Sequence, residues 1–137
     1  MKDILVAVDG SVNSKEAFEY SLEEAKDLNN NLTALRVVPG LGYGGKVVEK
    51  ALKEEIEAAK KFLQKLKDQA KGEGVEIKTD VITATSVATE IVKYADEHDI
   101  DLIVVGSRGN TDLQTISLGS VSEGVVKRAH CPVLVVR

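Results

Sequence analysis

Three glycines and a serine near the carboxyl-terminal end of the chain have a spacing that suits the binding of a phosphate chain. Two residues separate Gly106 from Gly109, and nine more separate Gly109 from the pair Gly119 and Ser120. Glycine has no side chain to keep backbone N–H groups away from an anion, and a helix start adds unpaired donors and a partial positive charge. The ordered spacing therefore predicts a nucleotide phosphate site, whereas a single Gly-x-x-Gly would predict only a turn.

A strand and a helix on either side of this segment would position it. The apolar run 102–105 predicts a buried strand that leads into Gly106. Ser120 and Glu123 have the spacing of a capping box, which predicts that Ser120 caps the last helix. Arg108 lies in the connecting loop and is a candidate phosphate contact on charge alone, although a solvated loop arginine explains it equally well.

A second glycine-rich segment, 40–46, fits the first seven places of a Walker A phosphate loop. The next residue is Val47, which has no hydroxyl group for magnesium, and Pro39 precedes the segment. The position about twenty residues further on, where a dinucleotide site would place an acid, falls near Lys65 inside a predicted helix. We therefore interpret the segment as a flexible loop near the nucleotide, with Tyr43 placed to cover the base.

Metal and cysteine chemistry receive little support from the sequence. His98 and His130 have no partner at metal-ligand spacing, so structural or exposed roles are favoured for both. Cys131 is the single cysteine, which excludes an intramolecular disulfide. We predict neither a catalytic residue nor a protein metal site.

Composition limits the classes of partner. The 137 residues suit one domain spanning 1–137, and 43% hydrophobic with 29% charged residues is typical of a soluble globular protein. A formal charge of -4 gives no electrostatic case for nucleic acid or an anionic membrane. No apolar run approaches the ~20 residues of a spanning helix, and no signal-peptide pattern is present. We expect a cytoplasmic protein whose partners are a small molecule and other proteins.

Strand and helix patterns alternate along the whole chain, which predicts an α/β fold. Five strands and four helices imply an open parallel sheet with helices on both faces, as in Rossmann-like proteins. Ligands of such sheets bind at the carboxyl ends of the strands, where Asp9, Val38 and Gly106 lie. The predicted strands are 4–8, 32–38, a third that includes Val75, Ile77 and Val81, 102–105 and 132–136; the predicted helices are 13–28, a long helix from about 48 to 70 closed by Gly72 and Gly74, 87–95 and 120–128.

Four segments together resemble the universal stress protein family, specifically its ATP-binding branch. They are 4–11, 36–39, the glycine motif from Gly106 to Ser120, and 131–136. The resemblance implies the strand order 3-2-1-4-5. It also implies a homodimer through the apolar carboxyl-terminal strand, since the family pairs this edge across a two-fold axis.

The resemblance implies roles for individual residues. The aspartate after the first strand and the valine backbone before the proline would hold adenine, the paired glycines would contact ribose and phosphates, and the glycine-serine pair with its following residue would cradle the phosphate chain. One departure is Thr85-Ser86-Val87-Ala88, where the family often has glycine-proline-alanine; Ser86 can still cap the helix, so only the pocket wall near Val87 is affected. The candidate nucleotide-binding residues are Asp9, Gly10, Ser11, Val38, Pro39, Val87, Gly106, Arg108, Gly109, Gly119, Ser120 and Val121.

A binding module is favoured over an enzyme, because the matched loops contain no histidine or lysine in an evident catalytic setting. The expected ligand is ATP or AMP, with Mg²⁺ held mainly through the phosphates. Binding would act as a stress-response switch by changing the surface shown to a protein partner. The alternative is a slow ATPase or autophosphorylating enzyme with Ser120 or Ser122 as acceptor. An adenylate-forming or flavin-binding relative is disfavoured, since no serine-glycine-glycine loop follows the first strand.

Overall fold

Five parallel strands form one sheet in the order β3-β2-β1-β4-β5, as predicted. The computed structural model describes residues 2–40, 46–108 and 118–137. The strands are β1 (Asp3–Ala7), β2 (Asn31–Pro39), β3 (Lys78–Ala84), β4 (Leu102–Gly106) and β5 (Val133–Val136). The helices are α1 (Val12–Leu28), α2 (Lys46–Gly72), α3 (Val87–Glu97) and α4 (Ser120–Arg128).

Each face of the sheet carries its own apolar layer, because successive strand side chains point to opposite faces. On one face Ile4 and Val6 of β1 pack in a cluster with Phe18 of α1 and Leu63 of α2. On the other face Leu5 joins a cluster that includes residues of α3 and α4. Phe18 is completely buried, and burial of such a side chain contributes about 1.5–3 kcal/mol. The sheet is therefore covered by an apolar layer on both faces.

Serine side chains cap the amino termini of two of the helices. The Oγ of Ser11 accepts a hydrogen bond from the amide of Ser14 at 3.1 Å and caps α1. The predicted cap of α3 is confirmed, since the Oγ of Ser86 accepts from the amide of Thr89 at 3.3 Å. The stretch that replaces glycine-proline-alanine therefore supplies its own cap for α3.

The predicted cap of α4 is wrong. Gly119 is the N-cap, with φ -65° and ψ 163°, and Ser120 is already the first helical residue. The carboxylate of Glu123 does not reach back to the helix start but pairs with the Lys127 ammonium at 2.8 Å. The residue that precedes the helix, Gly119, is held instead by a hydrogen bond from its amide to the carbonyl of Ser107 at 2.7 Å.

Four strand starts also differ from the sequence prediction: β1 and β2 each begin one residue earlier, and β3 and β5 begin later. The third strand begins at Lys78, not near Val75, because the amide of Val75 donates to the carbonyl of Ala70 at 2.9 Å in the turn that closes α2. Gly74 adopts φ 81° in that turn. The last strand begins at Val133 and not at Pro132, whose ring nitrogen has no hydrogen to donate.

Over residues 2–40, 46–108 and 118–137, none of the helices has both the length and the hydrophobicity that crossing a bilayer requires.

Candidate functional site

A cavity of about 260 Å³ lies at the carboxyl ends of the central strands. β1 and β4 are hydrogen-bonded neighbours. Asp9 after β1 and Arg108 after β4 both line the cavity, so the two loops meet across it. Its volume is just below the ~300–1,000 Å³ of typical small-molecule sites.

The structure brings most of the predicted site residues to this cavity. The amides of Gly10 and Ser11 belong to the turn beside it, but neither residue lines it, and Val38 does not line it either. Gly109 lies outside the described residues. The predicted residues that line the cavity are Asp9, Pro39, Val87, Gly106, Arg108, Gly119, Ser120 and Val121.

Asp9 is held at the cavity by the turn that opens α1. Its Oδ1 accepts a hydrogen bond from the amide of Ser11 at 2.9 Å, and its own amide donates to the Oγ of Ser14 at 3.2 Å. Gly10 has φ 86°, in the left-handed region that favours glycine. Gly10 and Ser11 therefore shape the turn and orient the carboxylate of Asp9.

On β2 the cavity is lined by Val37 and not by the predicted Val38, a shift of one residue. The amide of Gly40 donates to the carbonyl of Ala84 on β3 at 2.9 Å. Since every second residue of a strand turns its backbone to the same neighbour, the backbone of Val38 also faces β3. The Val38 side chain is 0% exposed. The amide of Val8 donates to Leu35 at 2.9 Å, which places the backbone of Val37 on the side of the β1 loop. Val37 is therefore the backbone position that faces the region of Asp9.

Arg36 and Glu55 also line the cavity, although the sequence analysis did not predict them as site residues. One guanidinium nitrogen of Arg36, Nη1, donates to the carbonyl of Val37 at 2.8 Å, and Nη2 lies 3.6 Å from the Glu55 carboxylate on α2. The Arg36 side chain is only 15% exposed. Its presence in the apolar pattern of β2 was a usable signal, whereas its pairing with Glu55 depends on how α2 packs.

Gly106 permits a close approach between β4 and α1. A Cβ at this position would lie 2.7 Å from Oδ1 of Asn13 and 3.2 Å from its backbone carbonyl carbon. The first distance is shorter than real Cβ atoms make and the second is tight, so a side chain would move the Asn13 amide and press on the first turn of α1. Glycine is required here for space.

The start of α4 gives the cavity its second polar end. The amide of Gly119 donates to the carbonyl of Ser107 at 2.7 Å, and the first helical hydrogen bond runs from Glu123 to Gly119 at 2.9 Å. The amides of Ser120, Val121 and Ser122 therefore have no partner within the helix. Together with the helix dipole and the nearby Arg108, they favour an anion at this end.

The remaining candidate side chains lie away from the cavity. His98 stacks on Tyr94 with ring centroids 3.9 Å apart, and Nδ1 of His130 lies 3.0 Å from an Asp96 carboxylate oxygen. Burial, followed by the charge of Asp96, raises the pKa of the Cys131 thiol, which disfavours a nucleophilic thiolate. Within the described ranges no three His, Cys, Asp or Glu side chains form a metal-binding group.

Comparison with known proteins gives the same family along the whole chain. The model of the universal stress protein family matches residues 1–137. A universal stress protein of Methanocaldococcus jannaschii is 41% identical over 143 residues, covering 99% of this chain and 82% of that protein. The structure of the universal stress protein UspA from Lactobacillus plantarum has a TM-score of 0.92 and 31% identity, covering 99% and 97% of the two chains.

A further solved structure is that of a universal stress protein in complex with cAMP. It is similar to this chain with a TM-score of 0.76 and 27% identity, and the alignment covers 99% of this chain and 97% of the other.

Proposed function

The chain belongs to the universal stress protein family, and from that premise we propose that it is an ATP-binding module that acts as a nucleotide-dependent switch. The observation that carries the proposal is the cavity, because it joins a carboxylate at Asp9 to the amino terminus of α4. A carboxylate accepts hydrogen bonds from a base amine, and a helix start attracts phosphate. The cAMP complex of a relative also supports an adenine nucleotide as the ligand class.

At the base end, we assign adenine to the region between Asp9 and Val37. The Asp9 carboxylate would accept from the exocyclic amine, and the Val37 backbone would meet the edge of the ring. Val87 and Ile91 line the same cavity and would supply apolar contact to the faces of the base. The valine that departs from the family pattern therefore suits a pocket wall.

At the phosphate end, we assign the phosphate chain to the start of α4. The amides of Ser120 and Val121 and the side chain of Arg108 would bind its oxygens, and Gly106 and Gly109 would leave room for the ribose and phosphates. Mg²⁺ would be held mainly by the phosphates.

Mass spectrometry of the nucleotide released on denaturation tests the proposal directly. We expect purified protein to release ATP or AMP, and calorimetric titration of nucleotide-free protein to give a 1:1 complex with ATP in the presence of Mg²⁺. Equal heats for ATP and for inorganic triphosphate would remove the adenine assignment. No binding of any adenine nucleotide at millimolar concentration would overturn the proposal.

Asp9→Asn should lower the preference for ATP over GTP. The carboxylate accepts from the amine at position 6 of adenine, whereas guanine has a carbonyl oxygen there. The amide of the variant can donate to that oxygen and can keep an acceptor for the amide of Ser11. We expect the ratio of the two affinities, measured by calorimetry, to fall about tenfold, or about 1.4 kcal/mol. An unchanged ratio would move the base away from Asp9.

Lys46→Ala should leave ATP affinity within about threefold, or about 0.7 kcal/mol. The reason is that the segment 40–46 is not interpreted as a Walker A loop; the amide of Gly40 already donates to Ala84 on β3, and Val47 has no hydroxyl group. Residues 41–45 lie outside the described ranges. Titration of the variant with ATP gives the answer, and a hundredfold loss, about 2.7 kcal/mol, would contradict the ranking of the two glycine segments.

Turnover of ATP by the purified protein separates the switch from a slow ATPase or autophosphorylating enzyme. The described residues that line the cavity include no histidine, lysine or cysteine, which favours binding without chemistry. If autophosphorylation occurs, Ser120 suits the role of acceptor better than Ser122. The hydroxyl of Ser122 is buried within 3.0 Å of the Gly119 carbonyl.

We also propose a homodimer through β5. The two edges of the sheet differ in protection: β3 carries Lys78 and Asp80, whereas all four residues of β5 are aliphatic. Charged residues discourage edge-to-edge pairing, and an aliphatic edge without them needs a cover. A second copy of the same strand would supply it.

A further inference from the structure

Asn13 is a buried amide at the meeting point of α1, β4 and β5. It is the second residue of α1 and is 6% exposed. Its Nδ2 donates to the carbonyl of Val136 at 3.1 Å, and its Oδ1 accepts from the backbone amide of Arg108 at 2.7 Å. The Oγ of Ser107 is a further donor at 3.4 Å. One side chain thus contacts both the last residue of β5 and the residues that follow β4.

The backbone around Asn13 extends this contact to α4. The carbonyl of Val136 also accepts from the amide of Ser107 at 2.8 Å. The carbonyl of Ser107 accepts in turn from the amide of Gly119, the N-cap of α4, at 2.7 Å. The end of β5, the exit of β4 and the start of α4 therefore form one hydrogen-bonded network. Asn13 is the side chain that joins its two strands.

We propose that Asn13 is a positioning residue that couples the nucleotide cavity to the edge strand β5. The coupling rests on the proposed function, since it needs a nucleotide contact at Arg108 or at the start of α4. A ligand that draws Arg108 toward its phosphates moves the backbone amide of Arg108, which donates to Oδ1 of Asn13. The same side-chain amide of Asn13 donates through Nδ2 to the carbonyl of Val136. By linkage, a partner that orders β5 raises nucleotide affinity by the same factor as the nucleotide favours that partner.

The amide group suits this role because it donates and accepts at the same time. An ionised carboxylate could still accept from the Arg108 amide but could not donate to Val136. A methyl group could do neither. Asn13→Asp and Asn13→Ala therefore separate the contact with Arg108 from the contact with Val136.

Amide hydrogen exchange of the ligand-free protein, followed by NMR, tests the positioning of Arg108. We expect the Arg108 amide to exchange at least about tenfold faster in Asn13→Ala than in the wild type, which corresponds to about 1.4 kcal/mol of lost protection. In Asn13→Asp, which keeps the acceptor, the rate should stay within about threefold. Wild-type exchange of this amide in Asn13→Ala would overturn the positioning role.

Exchange in the presence of ATP and Mg²⁺ tests the coupling. In the wild type we expect ATP to slow the Leu134 and Val136 amides of β5, and we expect this effect to disappear in both Asn13 variants. ATP affinity should fall about tenfold in Asn13→Ala but only within about threefold in Asn13→Asp. Slowing of the β5 amides that persists in both variants would refute the coupling.

Ser21→Ala is the matched control. Ser21 is a buried polar residue of the same helix, 1% exposed, and its hydroxyl donates to the carbonyl of Ala17 at 2.9 Å. Its loss removes a buried hydrogen bond that lies within α1, so Arg108 exchange and the ATP effect on β5 should remain as in the wild type. A wild-type protein that binds no ATP would refute the proposed function and the coupling, while the ligand-free exchange of Arg108 would still decide whether Asn13 positions it.

Discussion

Gly106→Ala is expected to abolish high-affinity nucleotide binding and to lower the free energy of unfolding by about 3 kcal/mol. The added Cβ would lie 2.7 Å from Oδ1 of Asn13 and 3.2 Å from the Asn13 backbone. A rotation of the Asn13 side chain relieves only the first contact, and the tight contact with the backbone requires α1 to shift by a few tenths of an ångström. Overpacking costs about 1–3 kcal/mol, and each buried hydrogen bond that Asn13 loses adds about 1–3 kcal/mol. Urea denaturation and calorimetric titration with ATP measure the two effects.

Two glycines provide controls for the same chemical change. A Cβ on Gly72, the last residue of α2, would meet no atom within 4 Å, and a Cβ on Gly40 would meet the Thr83 Cβ at an ordinary 3.6 Å. Gly72→Ala and Gly40→Ala should therefore change stability by less than about 1 kcal/mol. If Gly106→Ala behaves like them, the close approach of Asn13 does not constrain the site.

The fold was predictable because its signals are local and periodic. Short apolar runs between helical patterns predict the five strands, although not the start of β3. The bounds Ser120–Arg128 of α4 agree with the helical pattern. The cap of that helix was not predictable from the same segment. Ser120 and Glu123 satisfy a capping-box pattern, but the amide of Gly119 is held by Ser107, twelve residues earlier in the chain. A contact at that separation decides which residue precedes the helix.

The candidate site divides along the same line. Asp9 and Gly106 could be predicted because each follows a strand that the apolar pattern identifies. The shift from Val38 to Val37 could not, since the pairing of β2 with β3 decides which backbone faces the cavity. Arg36 meets Glu55 across the packing of α2 on the sheet, and Asn13 meets the amide of Arg108 at a sequence separation of 95 residues. Such pairs arise from tertiary structure, so no short-range spacing of residues in the sequence predicts them.

The hydrogen-bond pattern of β5 identifies a substitution that reaches the proposed dimer edge without breaking the sheet. The carbonyls of Pro132 and Val136 accept from Ile103 and Ser107 of the β4 segment, at 3.0 and 2.8 Å. In parallel strands the backbone groups of alternate residues turn to the same neighbour, so residue 134 also faces β4 and residues 133 and 135 face the open edge. Val135→Pro thus removes a donor from the edge and leaves the pairing with β4 intact.

If β5 is the dimer contact, Val135→Pro should shift the protein to a monomer at low micromolar concentration, with the dimer dissociation constant raised at least about a hundredfold, or about 2.7 kcal/mol.

Thr79→Pro is the matched control on the opposite edge. The amide of Gly40 donates to the carbonyl of Ala84, so the backbone groups of Ala84 and of every second residue before it face β2. Thr79 belongs to the other set, whose backbone groups face outward. That variant should remain dimeric in light scattering. ATP affinity of the Val135→Pro monomer should persist in large part, because the proposed contacts lie within one chain. A Val135→Pro variant that stays dimeric would place the interface on another surface, of which the charged face of α2 is the next to test.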